Sequence, residues 1–281
     1  MFGSISRAHH EVVGLVPAAG QARRLGGLPF SKELFPVDVS DDPDDHVAKP
    51  VIEFLLDNMQ ASGVTRAFVI IRDGKWDIPA HLGDGSRFCL ALGYLMMGRP
   101  FGVPYSLDQA YEHVRDNVVV LGFPDIVLRL PNAFAMCLAD LGESGADVVL
   151  GGFPADFPQG VDMMDMTPEG TVRALDIKPA ESLLTHTWCL AAWTPRFTRF
   201  LHEHLAERTE PDEAGRELQV ADVFNLAIAA GLTVRVKHVS EHPFVDIGTP
   251  GGMVRFMRDR RRHLSVPIPE TGNGPGEQTT E

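Results

Sequence analysis

A three-layer α/β fold, a sheet with helices on both faces, is what this sequence predicts, and three observations carry the prediction. Short runs of Val, Ile and Leu recur at helix-length intervals along the chain. The runs are nearly continuous rather than alternating, as in strands buried on both faces. The 281 residues, 44% of them hydrophobic, suffice for one large core.

The elements follow in order. Residues 12–17 read as the first strand, and an amphipathic helix follows near 49–62. AFVII at 67–71 is the next strand, then a strand near 88–96, a helix near 106–115 and the strand NVVVLGF at 117–123. A helix near 131–143 and the strand DVVLGGF at 147–153 continue the alternation, and no internal repeat is evident. Residues 1–10 are expected to be flexible, 11–264 to form one domain, and 265–281, with their Pro, Gly, Thr and Glu, to be a disordered tail.

Charge and composition exclude several classes. A formal net charge of -13 disfavours a nucleic-acid partner, because a polyanion needs a basic face. It leaves room for a small anionic substrate held by a few local cations. No apolar run approaches the roughly 18 residues that cross a bilayer. MFGSISRAHH lacks the apolar core of a signal peptide, so no membrane partner and a cytoplasmic location are expected. Cys89, Cys137 and Cys189 lie far apart without CxxC spacing and read as reduced core residues. The acidic run 38–45 contains Pro43, lacks EF-hand spacing and reads as a solvated loop.

LVPAAGQARRLGGLPFSKELFPV at 15–37 is the most informative stretch. A strand runs into Ala18, Ala19, Gly20 and Gln21, whose small side chains let backbone N–H groups approach phosphate oxygens. Arg24 and Lys32 would neutralise those oxygens. The spacing matches neither the P-loop nor the dinucleotide GxGxxG order, and a plain strand-turn-helix is the competing reading.

Gly20, Ala22, Arg23, Arg24, Leu25, Ser31, Lys32, Leu34 and Pro36 resemble the N-terminal signature of the sugar-1-phosphate nucleotidylyltransferases, the glucose-1-phosphate thymidylyltransferase-like NDP-sugar pyrophosphorylases. Ala22 stands where a second Gly is usual and Arg23 where Thr is usual, a variant similar to the molybdopterin guanylyltransferase loop. The resemblance implies a Rossmann-like domain with a mostly parallel mixed sheet, of the nucleotide-diphospho-sugar transferase type. In such a sheet ligands sit beyond the carboxyl ends of the strands. Asp125 lies there, after VVVLGFP, with Phe123 and Pro124 inserted relative to the family's Leu-Gly-Asp. A helix cap is its competing reading. Asp246, in HPFVDIGTPGGM, resembles the family's second metal carboxylate, so the resemblance implies Mg²⁺ on Asp125 and Asp246.

The resemblance also divides the substrates. Residues 94–111 resemble a base-binding loop in which Gly102 approaches the nucleobase, Met97 replaces a base-reading Gln, and Asp108, Gln109 and Ala110 open the next helix. Core packing is the plain alternative for Met96 and Met97. Lys178, in LDIKPAES, matches the Lys that contacts the substrate phosphate, and Gly160 with Val161 matches a Gly-Val lining the sugar pocket. Ile177 replaces the family's Glu, leaving Asp176, Glu181 or His186 as stand-ins. The implied reaction joins a nucleoside triphosphate to a sugar 1-phosphate and releases pyrophosphate, with Arg24 and Lys32 as the catalytic cations. Two alternatives remain open: a non-sugar phosphate acceptor, or a non-catalytic nucleotide-binding regulatory protein of the same fold. The histidines show no metal-binding pattern, and RDRRR at 258–262 reads as a helix end whose cations complement the dipole, an allosteric anion site or an oligomer contact being its alternative.

Overall fold

The computed structural model describes residues 11–21, 25, 26, 28–37, 49–98, 101–208 and 217–263, without the side chains of 259–263. Residues 1–10, Ala22, Arg23 and Arg24, the acidic run 38–45 and the tail 265–281 lie outside the described residues.

In chain order the elements are β1 (Val12–Pro17), β2 (Pro36–Val37), β3 (Lys49–Pro50), α1 (Val51–Ala61), β4 (Arg66–Arg72), α2 (Asp77–Leu82) and β5 (Ala91–Met97). Then come α3 (Val103–Asp108), α4 (Tyr111–Val114), β6 (Val118–Gly122), β7 (Ile126–Val127), α5 (Ala133–Ser144) and β8 (Val148–Pro154). The remainder is β9 (Met163–Met166), β10 (Val172–Asp176), β11 (His186–Trp193), α6 (Pro195–Glu207), α7 (Val220–Ala229), β12 (Val234–His238), β13 (Val245–Asp246) and α8 (Pro250–His263).

One mixed sheet organises these elements. β1 pairs in parallel with β4 and β6, β4 with β5, and β8 with β12. β11 lies antiparallel between β6 and β8, which leaves β6 and β8 pointing the same way. The carboxyl ends of β1, β4, β5, β6 and β8 therefore share one edge, the edge where the sequence places its ligands.

Alternation along each strand sorts side chains to two cores. Val13, Leu15, Val119 and Leu121 face α3, α4, α6 and α7, where Leu107, Val114, Phe197 and Phe224 cover them. Val16, Val69 and Val120 face α1, α2 and α5 through Leu55, Leu56, Ile78 and Phe134. The predicted three layers are present, and the side chains show why: strands covered on both faces need apolar residues at every position.

Four local expectations are corrected. The strand expected from 88 begins at Ala91, because Ser86–Phe88 form a 3₁₀ turn closed by Cys89 at φ 54°. Cys89 is thereby exposed, while Cys137 and Cys189 are buried as expected. The helix expected over 106–115 is two short helices, because Gln109 and Ala110 donate to Ser106 and Leu107, three residues back, and tighten the turn. Asp108 consequently ends α3 instead of opening a helix, and its carboxylate meets His202 Nδ1 at 2.8 Å.

Candidate active site

The loop after β1 and the turn carrying Lys32 meet at the sheet's carboxyl edge. Ala18 and Ala19 are buried, and the Ala18 N–H donates to the Ile70 carbonyl at 2.8 Å, extending the β1–β4 pairing by one bond. That amide is spent on the fold, so a phosphate-binding backbone surface starts after Ala18. Gly20 and Gln21 are exposed. A Cβ on Gly20 would stand 4.0 Å from Lys32 Nζ, so the loop and the cation face one ligand space. Arg24, the other expected cation, lies outside the described residues.

Lys32 is fixed from both sides by the segment after β4. Ser31 donates its backbone N–H and its hydroxyl to the two carboxylate oxygens of Asp77, each at 2.6 Å. On the other side Lys75 Nζ donates to both Glu33 oxygens at 2.7 Å, with Lys75 4% and Glu33 1% exposed. Burial pushes the Glu33 carboxyl up and the Lys75 ammonium down, and each partner's charge opposes the other's shift. Such a pair holds position more than it adds stability. Sequence spacing gave no sign of this clamp, since its partners are more than 40 residues apart.

Asp125 and Asp246 are brought together by a small antiparallel pairing. β7 and β13 set Ile126 opposite Asp246, and the Ile247 N–H donates to the Asp125 carbonyl at 3.0 Å. The two residues inserted before Asp125 are thus absorbed in the turn leading to β7. Lys32 Nζ donates to Asp125 Oδ2, and Asp246 Oδ1 accepts the Gly248 N–H at 2.7 Å. Gly248 is required here, because a Cβ would fall on the Asp125 carboxylate. Burial lowers the affinity of Lys32 for its proton, yet the charges of Asp125, Glu33 and Asp246 outweigh it and raise its pKa overall. Lys32 therefore stays a cation. Two converging carboxylates are a hard oxygen set that fits Mg²⁺, which takes one or two protein carboxylates and leaves its other positions to phosphate and water.

Beside this pair lies a cavity of about 190 Å³ lined by Asp125, Asp246, Gly160, Val161, Lys178 and Asp162, among others. Lys178 adopts φ 45°, an uncommon conformation for a non-glycine residue, and its Nζ donates to Gln219 Oε1 at 2.9 Å. Gln219 is the N-cap of α7 in a capping box with Asp222, so the helix terminus holds the Lys178 side chain. Asp176, Glu181 and His186, the stand-ins considered for the family's Glu, are not among the lining residues; the carboxylate on this wall is Asp162. Its sequence signal was its place directly after Gly160 and Val161.

The base-side expectations divide. Met97 is 4% exposed in the core and its sulfur accepts the Ser106 hydroxyl at 3.0 Å, so its side chain packs inside instead of reading a base. Met96, on the opposite face of β5, is 44% exposed. Gly102 has φ 114° and bridges to Leu218, and a Cβ there would strike the Leu218 carbonyl oxygen. Its glycine is demanded by this close backbone approach.

Known proteins resemble this chain in sequence and in fold. The chain is 26% identical over 240 residues to the low-salt glycan biosynthesis nucleotidyltransferase of Haloferax volcanii, covering 84% of this chain and 62% of that protein. It is 25% identical over 253 residues to a glucose-1-phosphate thymidylyltransferase of Streptomyces griseus, 87% of this chain and 64% of that one. The chain thus spans just under two thirds of these relatives. A structure described as a glucose-1-phosphate thymidylyltransferase of Bacillus anthracis, in complex with a sucrose, superposes with a TM-score of 0.74 at 17% identity, covering 89% of this chain and 95% of that one. The chain resembles the sugar-1-phosphate nucleotidylyltransferases. The UTP-bound UGPase of Acinetobacter baumannii has the same fold, with a TM-score of 0.67 at 13% identity over 91% of this chain and 99% of its own. No family model matches the chain. Among the described residues no helix is long and apolar enough to cross a membrane.

Proposed function

We propose that the chain transfers a nucleotidyl group from a nucleoside triphosphate to a sugar 1-phosphate, giving an NDP-sugar and pyrophosphate. The observation that carries this reading is the meeting of Lys32, Asp125 and Asp246 at the sheet's carboxyl edge, next to a cavity holding Lys178. The similarity to sugar-1-phosphate nucleotidylyltransferases of Streptomyces supports it.

The acceptor's phosphate oxygen is already ionised near neutral pH, so attack on the α-phosphorus requires no general base. Positioning and charge neutralisation supply the catalysis. Lys32, held by its flanking clamps, neutralises the triphosphate, with Arg24 as the second cation on the leaving pyrophosphate. Lys178 takes the acceptor phosphate, its side chain already extended toward Gln219. Asp125 and Asp246 would hold Mg²⁺, which when bound supplies Lewis-acid polarisation of the phosphates. Gly160 and Val161 line the sugar side, and Gly20 with Gln21 the triphosphate side. The reaction is assigned to the cytoplasm, which suits three unpaired cysteines.

The test is pyrophosphate release by the purified chain with Mg²⁺ across the common nucleoside triphosphates and a panel of hexose 1-phosphates. Release that requires both substrates and is lost on adding a chelator is expected; no release from any pair overturns the reading.

A further inference from the structure

The acceptor cavity holds an acceptor atom and a donor atom that the protein itself leaves unmatched. Asp162 Oδ1 and Trp188 Nε1 are both shielded from solvent, and neither closes a hydrogen bond of normal geometry, with the other or with any other group of the protein. Both residues line the same cavity, with Lys178. The indole N–H stands close enough to favour the ionised Asp162 carboxylate, as do the Lys178 charge and backbone N–H, while burial opposes that ionisation more strongly. Buried polar atoms without partners are uncommon in folded proteins, and two side by side in a cavity wall indicate a ligand.

The backbone goes out of its way to create this pair. In β11 the register against β8 slips between Trp188 and Leu190, a β-bulge at Cys189. From Trp193 back to Leu190 the side chains alternate between the two cores. Without the bulge Trp188 would face α1 and α5; with it, Cys189 and Leu190 share that side and Trp188 turns to the cavity side. Phe224 meets its ring edge-on at 5.2 Å and Phe123 at 5.7 Å, which fixes the indole. Asp162 comes from the loop between the Pro158–Gly160 turn and β9.

We infer that Asp162 Oδ1 and Trp188 Nε1 bind one hydroxyl of the sugar phosphate acceptor and so determine which polyol phosphate is accepted. A hydroxyl suits the pair because it donates one hydrogen bond and accepts others. It donates to Asp162 and accepts from Trp188, satisfying both at once. An ammonium would pair with Asp162 but has no lone pair for the indole, and a second anion would be repelled by Asp162. A sugar that lacks the hydroxyl leaves both atoms unpaired, which is the arrangement that discriminates most strongly between analogues. The inference rests on the acceptor being a sugar phosphate, as proposed above.

The test measures binding and turnover separately. Calorimetry on the full chain with glucose, galactose, mannose and glucosamine 1-phosphates identifies the preferred acceptor, and its monodeoxy analogues are then compared. One deoxy analogue is expected to bind about 10- to 100-fold more weakly, the cost of a hydrogen bond to a charged group. Asp162→Asn should weaken the parent sugar phosphate by a similar factor and show no further loss on that analogue, leaving triphosphate affinity unchanged. Trp188→Phe, which keeps the ring packing and deletes only the N–H, should cost about 2- to 10-fold on the same acceptor. Melting curves confirm that both variants fold, and each alone is a sufficient test. Equal acceptor affinities in wild type and both variants, or no binding of any sugar phosphate, overturn the inference, as does a loss confined to the amino sugar. If acceptor binding follows this pattern without pyrophosphate release, the inference stands and the proposed reaction fails. If pyrophosphate is released and Asp162→Asn changes no acceptor, the reverse holds.

Discussion

Around Lys32, three successive side chains are tied down: Ser31 to Asp77, Lys32 to Asp125, and Glu33 to Lys75. Around Lys178, by contrast, the ammonium is held by Gln219 while Asp162 Oδ1 and Trp188 Nε1 keep unmet hydrogen-bonding capacity. On the proposed reaction, the difference matches what each side of the cleft would have to do. A triphosphate presents the same charged oxygens whatever its base, so the cation that meets it gains from being fixed before the ligand arrives. An acceptor must be chosen among near-identical polyols, and polar groups left unmatched until the right one binds penalise the wrong ones.

The comparison breaks first at the buried clamp. Glu33→Gln leaves Lys75 charged and unpaired in a buried site, and should cost about 3–5 kcal/mol in urea unfolding. Glu33→Leu combined with Lys75→Met should recover most of it, because the pair itself contributes little net stability. Next in size is Lys32→Met, expected to lower the rate of pyrophosphate release about 10²- to 10³-fold with acceptor affinity unchanged. A loss below about tenfold would mean that the fixed cation is not where charge develops. Asp77→Asn weakens the Ser31 anchor and should lower kcat/KM for the triphosphate about tenfold with little change in acceptor KM, the signature of a misplaced but present cation.

The smallest effects are in pH dependence, and they separate the two sides. Asp162 is raised above the usual carboxylate range, chiefly by burial, so its contribution to stability is fully present below about pH 3.9 and is lost as pH rises through its folded value. Lys32 is raised as well, with the attraction of Asp125 overcoming burial, so its contribution persists below about pH 10.4 and is lost only as pH climbs beyond that. Melting temperature followed across pH should therefore decline in an acid window that Asp162→Asn removes, and in an alkaline window that Lys32→Met removes. If one variant erased both windows, the two sides would be electrostatically coupled and the contrast drawn here would fail.

Much of this was legible before any coordinates. The continuous apolar runs VVGLVP, AFVII and VVVLG became β1, β4 and β6 because strands covered on both faces need apolar residues throughout. Asp125 was legible by its place after a strand, and Lys32 and Asp246 by the motifs they share, in the same order, with the family the sequence resembles. Met97 was not. Strand alternation assigns it and Met96 to opposite faces but does not say which face is core, and the packing of α3 settled that.

The sequence by itself therefore determined the layered sheet and its carboxyl edge, which follow from local periodicity, and its resemblance to a family singled out the three charged residues that meet there. Only the tertiary structure decided how Lys32 is clamped, that Asp162 is the carboxylate on the cavity wall beside Lys178, and that Trp188 lines the same cavity. The physical reason is the same in each case. The clamps join residues more than 40 positions apart, and the Cys189 bulge shifts the phase of a strand by one residue, reversing the face that alternation alone would assign to Trp188.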